Sequence, residues 1–147
     1  MKKKLTKKQI SIAQMLPTKY EPKKRHRFIV DFDSLDAFLI KKFDYPSLKP
    51  NKAGELAPTG YARIHMYCAI EPSTEQQVRD VVAKQVNNHL DDCVIKYLDP
   101  IGTIVSEHVF VEPKIVLVEY TSPSYDEQSS LMECIVSFEY SRLDVPY

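Results

Sequence analysis

The chain has 147 residues, of which 44% are apolar and 27% are charged, with three cysteines and a formal net charge of zero. This size and composition exclude a mainly disordered chain and predict one domain that buries a core without disulfide help. No apolar run approaches the roughly 20 residues of a membrane span, and the segment after the first lysines is too short and polar for a secretion signal. We therefore expect no membrane partner, and synthesis in the cytosol.

Charge is divided unevenly along the chain. Residues 1–27 carry ten lysines and arginines against Glu21 alone, a net charge of +9, and the remaining 120 residues carry −9. Two prolines and the lack of a steady apolar period predict that residues 1–25 form an extended basic arm before a single domain over residues 26–147. A basic arm on an acidic body favours contact with nucleic acid or head-to-tail contact between copies, and a simply solvated arm fits equally well.

Two strand-like runs follow the arm. β-branched and aromatic residues dominate from Phe28 to Phe32 and from Ala37 to Phe43, and the four-residue link between them predicts a β-hairpin. Residues 44–60 then hold three prolines and two glycines, which predicts an unusually long loop. Long ordered loops in compact domains are usually functional.

The next run, from Tyr61 to Ile70, alternates as a half-buried strand does. One face carries Ala62, Ile64, Met66, Cys68 and Ile70, and the other carries Arg63, His65 and Tyr67. We expect the first face to pack and the second to be wet.

A single helix is predicted over residues 73–89. Ser73 opens a capping-box pattern, and Asn87 and Asn88 suit the exit. The apolar stripe consists of Val78, Val81, Val82 and Val86, and the opposite side offers the ion pairs Glu75–Arg79 and Asp80–Lys84. Because four valines weaken intrinsic helicity, this helix should depend on packing against a sheet.

Four more strand-like runs, residues 93–98, 103–111, 114–120 and 131–142, complete the chain. The last one places Met132, Cys134, Val136, Phe138 and Tyr140 on one face and Glu133, Ile135, Ser137 and Glu139 on the other. About seven strands and one helix predict a mainly β, α+β fold, an antiparallel β-sandwich or barrel with a flanking helix over an opening.

No pattern of catalytic or metal-ligating residues stands out. Cys68, Cys93 and Cys134 lack C-x-x-C spacing, and the first and last fall on apolar faces, which predicts core roles. The four histidines are spread over distant segments, and three glycines cannot make a phosphate-cradling loop. We therefore expect that the protein is not an enzyme and binds no metal or cofactor. The tyrosines are dispersed along the chain, and we expect them to serve protein interfaces and not base stacking.

Four short motifs, in order, resemble the tail tube proteins of contractile-tailed bacteriophages, whose fold is similar to that of bacteriocin and type VI secretion tubes. They are Leu16-Pro17-Thr18-Lys19-Tyr20-Glu21-Pro22-Lys23-Lys24, Phe43-Asp44-Tyr45-Pro46, Leu98-Asp99-Pro100-Ile101-Gly102-Thr103 and Ser137-Phe138-Glu139-Tyr140. The resemblance covers roughly residues 15–147 and is weakest in the middle, where Ser47–Gly60 is shorter than the hairpin of relatives.

The resemblance implies a structural virion protein of the phage tail, assembled in the host bacterial cytoplasm. Subunits would form hexameric rings that stack into a tube, through which double-stranded viral DNA passes without specific binding. A tail sheath, a baseplate and tail-terminator proteins would be the partners, without a cofactor. Two alternatives stay open: a baseplate-proximal or tail-terminating ring of the same fold, and a nucleic-acid-binding accessory protein that uses the basic arm.

Three groups of residues are expected to serve such a tube. The turn motif comprises Leu98, Asp99, Pro100, Gly102 and Thr103. Period-two alternation turns Glu133 and Glu139 away from the core, and with Glu119 they are expected to face the channel, where an acidic wall lets phosphates slide. Contacts between rings are expected from the arm residues Lys19, Tyr20, Lys23, Lys24 and Arg25.

Overall fold

The computed structural model describes residues 25–126 and 131–145, so the predicted arm, except Arg25, lies outside the described residues. In chain order the elements are β1 (Phe28–Asp31), a 3-10 turn (Ala37–Leu39), β2 (Ile40–Asp44), β3 (Leu48–Pro50), β4 (Leu56–Pro58), β5 (Ala62–Tyr67), α1 (Thr74–Asn87), β6 (Cys93–Leu98), β7 (Ile104–Val111), β8 (Lys114–Tyr120), β9 (Glu133–Glu139) and β10 (Arg142–Asp144).

Eight of these strands form two antiparallel four-stranded sheets. The first sheet has the order β1-β6-β7-β10, and the second has the order β2-β5-β9-β8. The remaining two strands, β3 and β4, form a separate two-stranded ribbon. Over residues 25–126 and 131–145, this arrangement confirms the predicted mainly β fold with one helix.

The two sheets share one core, which is rich in aromatic rings. Phe32, Phe110 and Phe138 are fully buried, and the ring centroid of Phe138 lies 5.0 Å from that of Phe32 and 5.8 Å from that of Phe110, both edge-on. The predicted alternation of β5 and β9 supplies much of the rest, namely Ala62, Ile64, Met66, Cys134 and Val136, all with no exposed surface. Edge-on aromatic packing of this kind adds to the stabilisation that burial itself provides.

The predicted helix is confirmed as α1, capped by Ser73 and ended at Asn88. Val78 and Val81 are buried in the core, as the stripe requires. Gln85 fastens the helix to the start of β8: its amide donates to the carbonyl of Ile115 and accepts the Ile115 N–H, each at 2.9 Å. The weak intrinsic helicity is thus offset by tertiary contacts.

The predicted hairpin between residues 28–32 and 37–43 is wrong. In the part of the chain that the structure describes, β1 pairs with β6 and β2 pairs with β5, in different sheets. The reason is that the link is not a surface turn: Leu35 within it is 6% exposed and adjoins the fully buried Phe32. The chain therefore passes from one sheet to the other over a link that Leu35 anchors in the core.

The predicted long loop over residues 44–60 also needs correction, because it contains the β3–β4 ribbon. The side-chain oxygen of Asn51 accepts the backbone N–H groups of Ala53 and Glu55, both at 2.9 Å, and Gly54 adopts φ +81°. An Asx-type turn followed by glycine is a local signal for such a reversal.

Three apolar positions and two ion pairs were also predicted wrongly. Met132, expected on the apolar face of the last strand, is 48% exposed because β9 begins only at Glu133. Ile70 is 96% exposed because β5 ends at Tyr67, and Val86 is 78% exposed in the last turn of α1. Neither intrahelical ion pair forms between described residues, since Lys84 binds Asp33 instead, and Asp80 accepts a bond from Gln76.

Candidate assembly surface

The three glutamates predicted to face a channel lie on one face of the second sheet, which we call the wall face. Glu133 and Glu139 alternate with the buried residues of β9. Glu119 of β8 is in register with Ile135, which also belongs to that face. The structure therefore brings these three side chains to one surface.

The wall face is not the bare acidic surface that the sequence suggested. Lys41 binds the carboxylate of Glu133, and the Arg63 guanidinium lies 3.5 Å from the carboxylate of Glu119. The bond from Lys41 holds the pKa of Glu133 below its ordinary value. Of the three glutamates, only Glu139 lacks an ion-pair partner within the described ranges.

His65 extends this network across three strands. Its Nε2 lies 2.8 Å from a carboxylate oxygen of Asp44, and its Nδ1 lies 3.9 Å from one of Glu133. Burial alone would raise the pKa of Asp44, but the contacts with His65 and Lys42 leave that pKa below its ordinary value. Sequence reasoning missed these partners because β2 was assigned to a hairpin with the wrong strand.

The turn motif forms the tip of the hairpin that joins β6 to β7. The Asp99 carboxylate accepts the N–H groups of Ile101 and Thr103 at 3.0 and 2.8 Å. Gly102 adopts φ +91°, a conformation that other residues reach only with strain, and its N–H donates to the Asp99 carbonyl at 3.1 Å. These contacts give the motif a structural role, and Ile101 at its tip is 87% exposed.

The first described residues, 25–27, lie beside this tip, at what we call the arm end. The carbonyl of Arg27 accepts the N–H of Leu98 at 3.0 Å. Arg25, the one predicted arm contact among the described residues, lines a cleft of about 820 Å³ near β1 and β2. Lys19, Tyr20, Lys23 and Lys24 lie outside the described residues.

A cluster of polar aromatic side chains bridges the two sheets in this cleft. The hydroxyl of Tyr45, just after β2, lies 2.5 Å from the hydroxyl of Tyr97 on β6 and 2.7 Å from Nδ1 of His108 on β7. Burial and the bond with Tyr97 raise the pKa of Tyr45 well above its ordinary value. No local sequence signal could have found this cluster, since its members come from three distant segments.

A second cleft, of about 430 Å³, lies between the end of α1, the β7–β8 turn and the β9–β10 turn; we call it the helix-end cleft. Tyr140 in its lining is 9% exposed, and the structure gives its buried hydroxyl no hydrogen-bond partner among the residues it describes. Glu112, Lys114 and Glu139 also line it, and the Ser141 hydroxyl donates to the Glu112 carboxylate at 2.7 Å.

Exposed apolar side chains gather where β2 and β9 begin and where β5 and β8 end, a single end of the second sheet. Phe38 and Ile70 are each 96% exposed, and Leu131 is 68% exposed. The N–H of Cys68 donates to the carbonyl of Met132 at 3.0 Å, which ties the two sides of this end together. We call Phe38, Ile70, Leu131 and Met132 the apolar rim.

The cysteine thiols show little sign of chemical reactivity. All three cysteines are free, and burial raises the pKa of Cys134 to about 11, which keeps it a protonated, weakly nucleophilic thiol at neutral pH. Among residues 25–126 and 131–145, no three His, Cys, Asp or Glu side chains are grouped to hold a metal ion. No helix of this part of the chain is long and apolar enough to span a membrane.

Comparison with known proteins gives a match at the level of fold. No family model and no curated protein matches the chain. In the sheath/tube terminator structure of an extracellular contractile injection system, PVC, in its extended state, one chain is 12% identical, with a TM-score of 0.66 over 87% of this chain and 99% of that chain.

Two further solved structures have similar chains. The PVC sheath-tube complex in the extended state contains one that is 13% identical, with a TM-score of 0.60 over 97% of this chain and 98% of that chain. The sixfold-symmetrised baseplate of the anti-feeding prophage contains one that is 10% identical, with a TM-score of 0.57 over 85% and 95%. These matches confirm the predicted tube-protein fold, shared with components of contractile injection systems.

Proposed function

We propose that this chain is a structural tube subunit of a contractile injection machine. The observation that carries the proposal is the fold, which follows a tube or terminator component over nearly the whole length of both chains. The apolar rim adds support, because apolar side chains this exposed are typical of surfaces that copies bury against each other. Hexameric rings that stack into a tube, with a sheath and a baseplate as partners, are the assembly that we propose.

A terminating ring of the same fold is the second candidate. It is favoured by the higher structural similarity to the sheath/tube terminator structure than to the sheath-tube complex. The short ribbon formed by β3 and β4 fits it as well, since it leaves less chain for contacts with a further ring. A terminator would form single rings and would stop tube growth instead of extending it.

The wall face is the proposed lining of the channel, and viral DNA of a phage tail is the proposed cargo. Basic side chains of the wall face already form ion pairs with carboxylates: Lys41 pairs with Glu133, and Arg63 pairs with Glu119. Because retention of DNA requires cations that neutralise phosphates, such a surface would let a duplex pass without specific binding. A helical reconstruction that places Glu119 and Glu139 on the outside of a tube would overturn this assignment.

Native mass spectrometry and negative-stain microscopy of the purified chain, over a concentration series, test the assembly. We expect six-membered rings, and either tubes for the main tube subunit or single rings for the terminator. Phe38→Asp should prevent assembly, whereas the control Val86→Asp, an isolated exposed side chain of α1, should not. A chain that stays monomeric at high concentration would refute the proposed function.

A further inference from the structure

The two ends of β1 have different surroundings. At its start, Arg27 meets Leu98 at the arm end, where the basic residues 1–24 join the body. Beyond its end, the Asp33 carboxylate accepts the N–H of Asp91 at 3.5 Å, in the segment between α1 and β6, of which residues 88–90 line the helix-end cleft. Residues 25–27, which follow the basic segment, therefore lie at the end of β1 that is remote from this cleft.

Three carboxylates lie in or beside the helix-end cleft, whose lining also holds Lys114 and His89. Glu112 and Glu139 line it, and the Asp92 carboxylate beside it accepts the N–H of Glu112 at 3.1 Å. Lys114 is the lysine in the lining, and the structure shows no ion pair between it and Glu139 among the described residues. The backbone carbonyls at the end of α1 add partial negative charge to the same place.

Tyr140 is a second, independent feature of this cleft. Its ring packs edge-on against Phe110 with centroids 4.8 Å apart, so the side chain is fixed. Its hydroxyl is buried without a hydrogen-bond partner among the described residues. Buried hydroxyls are normally satisfied, and a donor from outside the subunit would satisfy this one.

We propose that the helix-end cleft is the docking site for the basic segment, residues 1–24, of a second copy of this chain. That segment carries eight lysines against Glu21, a charge complementary to Glu112, Glu139 and Asp92. Because Arg25, where the basic segment joins the body, and the cleft lie at opposite ends of β1, head-to-tail stacking would bring the basic segment of one copy toward the cleft of the next. The inference deepens the proposed tube function by naming the surface that receives the arm.

Binding of a fluorescent synthetic peptide of residues 1–24 to the full-length chain, measured by anisotropy at low and high salt, tests the site directly. We expect binding that weakens as salt rises. The double variant Glu112→Gln/Glu139→Gln should lower the affinity about tenfold, in keeping with the loss of two exposed ion pairs. Tyr140→Phe, which keeps the ring, should lower it as well. The control Glu55→Gln/Glu71→Gln, with both glutamates exposed and away from the cleft, should bind as the natural chain does.

Carbodiimide cross-linking of a mixture of unlabelled and ¹⁵N-labelled chains then identifies the donor copy. We expect amide links between lysines of residues 1–24 of one copy and Glu112 or Glu139 of another. Links within one copy alone, links that map elsewhere, or peptide affinity unchanged in both cleft variants would overturn the docking site. Peptide binding does not require ring formation, so the two results can be told apart. If the chain forms rings but does not bind the peptide in the cleft, only this inference is refuted. If it binds the peptide but forms no rings, only the proposed function is refuted.

Discussion

Asp33 is a single residue that joins three segments of the fold. Its φ is +48°, a left-handed conformation that aspartate and asparagine tolerate better than most residues. Its carboxylate, with a side chain only 2% exposed, lies 2.8 Å from the Lys84 ammonium and accepts the Asp91 N–H. Burial alone would raise the pKa of Asp33, but the bonds from Lys84 and the backbone leave that pKa below its ordinary value of 3.8.

The lowered pKa predicts a dependence of stability on pH. Because the folded-state pKa lies below the unfolded one, the stabilisation is fully present above about pH 4 and is lost as pH falls through the folded-state pKa. Asp33→Asn keeps a residue that tolerates positive φ and should lower the free energy of unfolding at pH 7, with the difference from the natural chain shrinking toward pH 2. Urea unfolding from pH 7 to pH 2 measures this, with Asp126→Asn as an exposed control. A difference that stays constant with pH would contradict the assignment.

Gln85 and Ile115 show how the helix and the second sheet are held together at the scale of elements. The side-chain amide of Gln85 occupies both main-chain groups of Ile115, as a neighbouring strand would. Ile115 itself is 5% exposed, so water cannot easily replace these two bonds. The pair therefore fixes α1 against the start of β8.

Replacing this amide should destabilise the fold measurably. Gln85→Leu leaves the N–H and the carbonyl of Ile115 without partners, and we expect a loss of about 2 to 3 kcal/mol in the free energy of unfolding. Gln76→Leu is the matched control, because among the described residues the exposed side chain of Gln76 bonds only to Asp80 on the same helix, and its loss should cost well under 1 kcal/mol. Chemical denaturation gives both values, and hydrogen exchange at the Ile115 amide should be faster in the first variant. Equal losses of stability in the two variants would argue against this role of the Gln85 amide.

Local pattern predicted the elements well and their partners poorly. Alternation in β5 and β9 and the valine stripe of α1 were readable because each depends on residues two to four positions apart. The pairing of β1 with β6 joins Phe28 to Tyr97, a contact that no local signal encodes. The same limit applies to the wall face. The positions of its glutamates could be predicted, but the ion pair between Lys41 and Glu133 depends on which strand β2 pairs with.

Across the chain, the main electrostatic feature is the uneven distribution of charge, and not the acidic wall face that the sequence predicted. Residues 1–27 carry +9 and the rest of the chain −9, while ion pairs neutralise two of the three predicted wall glutamates. We therefore expect the main electrostatic effect to be attraction between the arm of one copy and the body of a neighbour, which would favour assembly. Repulsion of phosphates by the wall face is expected to be the smaller effect. That attraction weakens with added salt, because ions screen exposed charges beyond roughly 8 to 10 Å at physiological strength.

Two truncations divide this contribution along the arm. Deleting residues 2–14 removes five lysines, and deleting residues 2–24 removes all eight that precede Arg25. We expect the protein concentration needed for stacking to rise with each step, and the effect of salt on stacking to become smaller, because fewer charged contacts remain to be screened. Light scattering at several salt concentrations measures both quantities, and far-ultraviolet circular dichroism checks that each truncated chain still folds. If both folded truncations stack at the natural concentration with the natural salt dependence, the arm lysines are solvated surface and play no part in holding rings together.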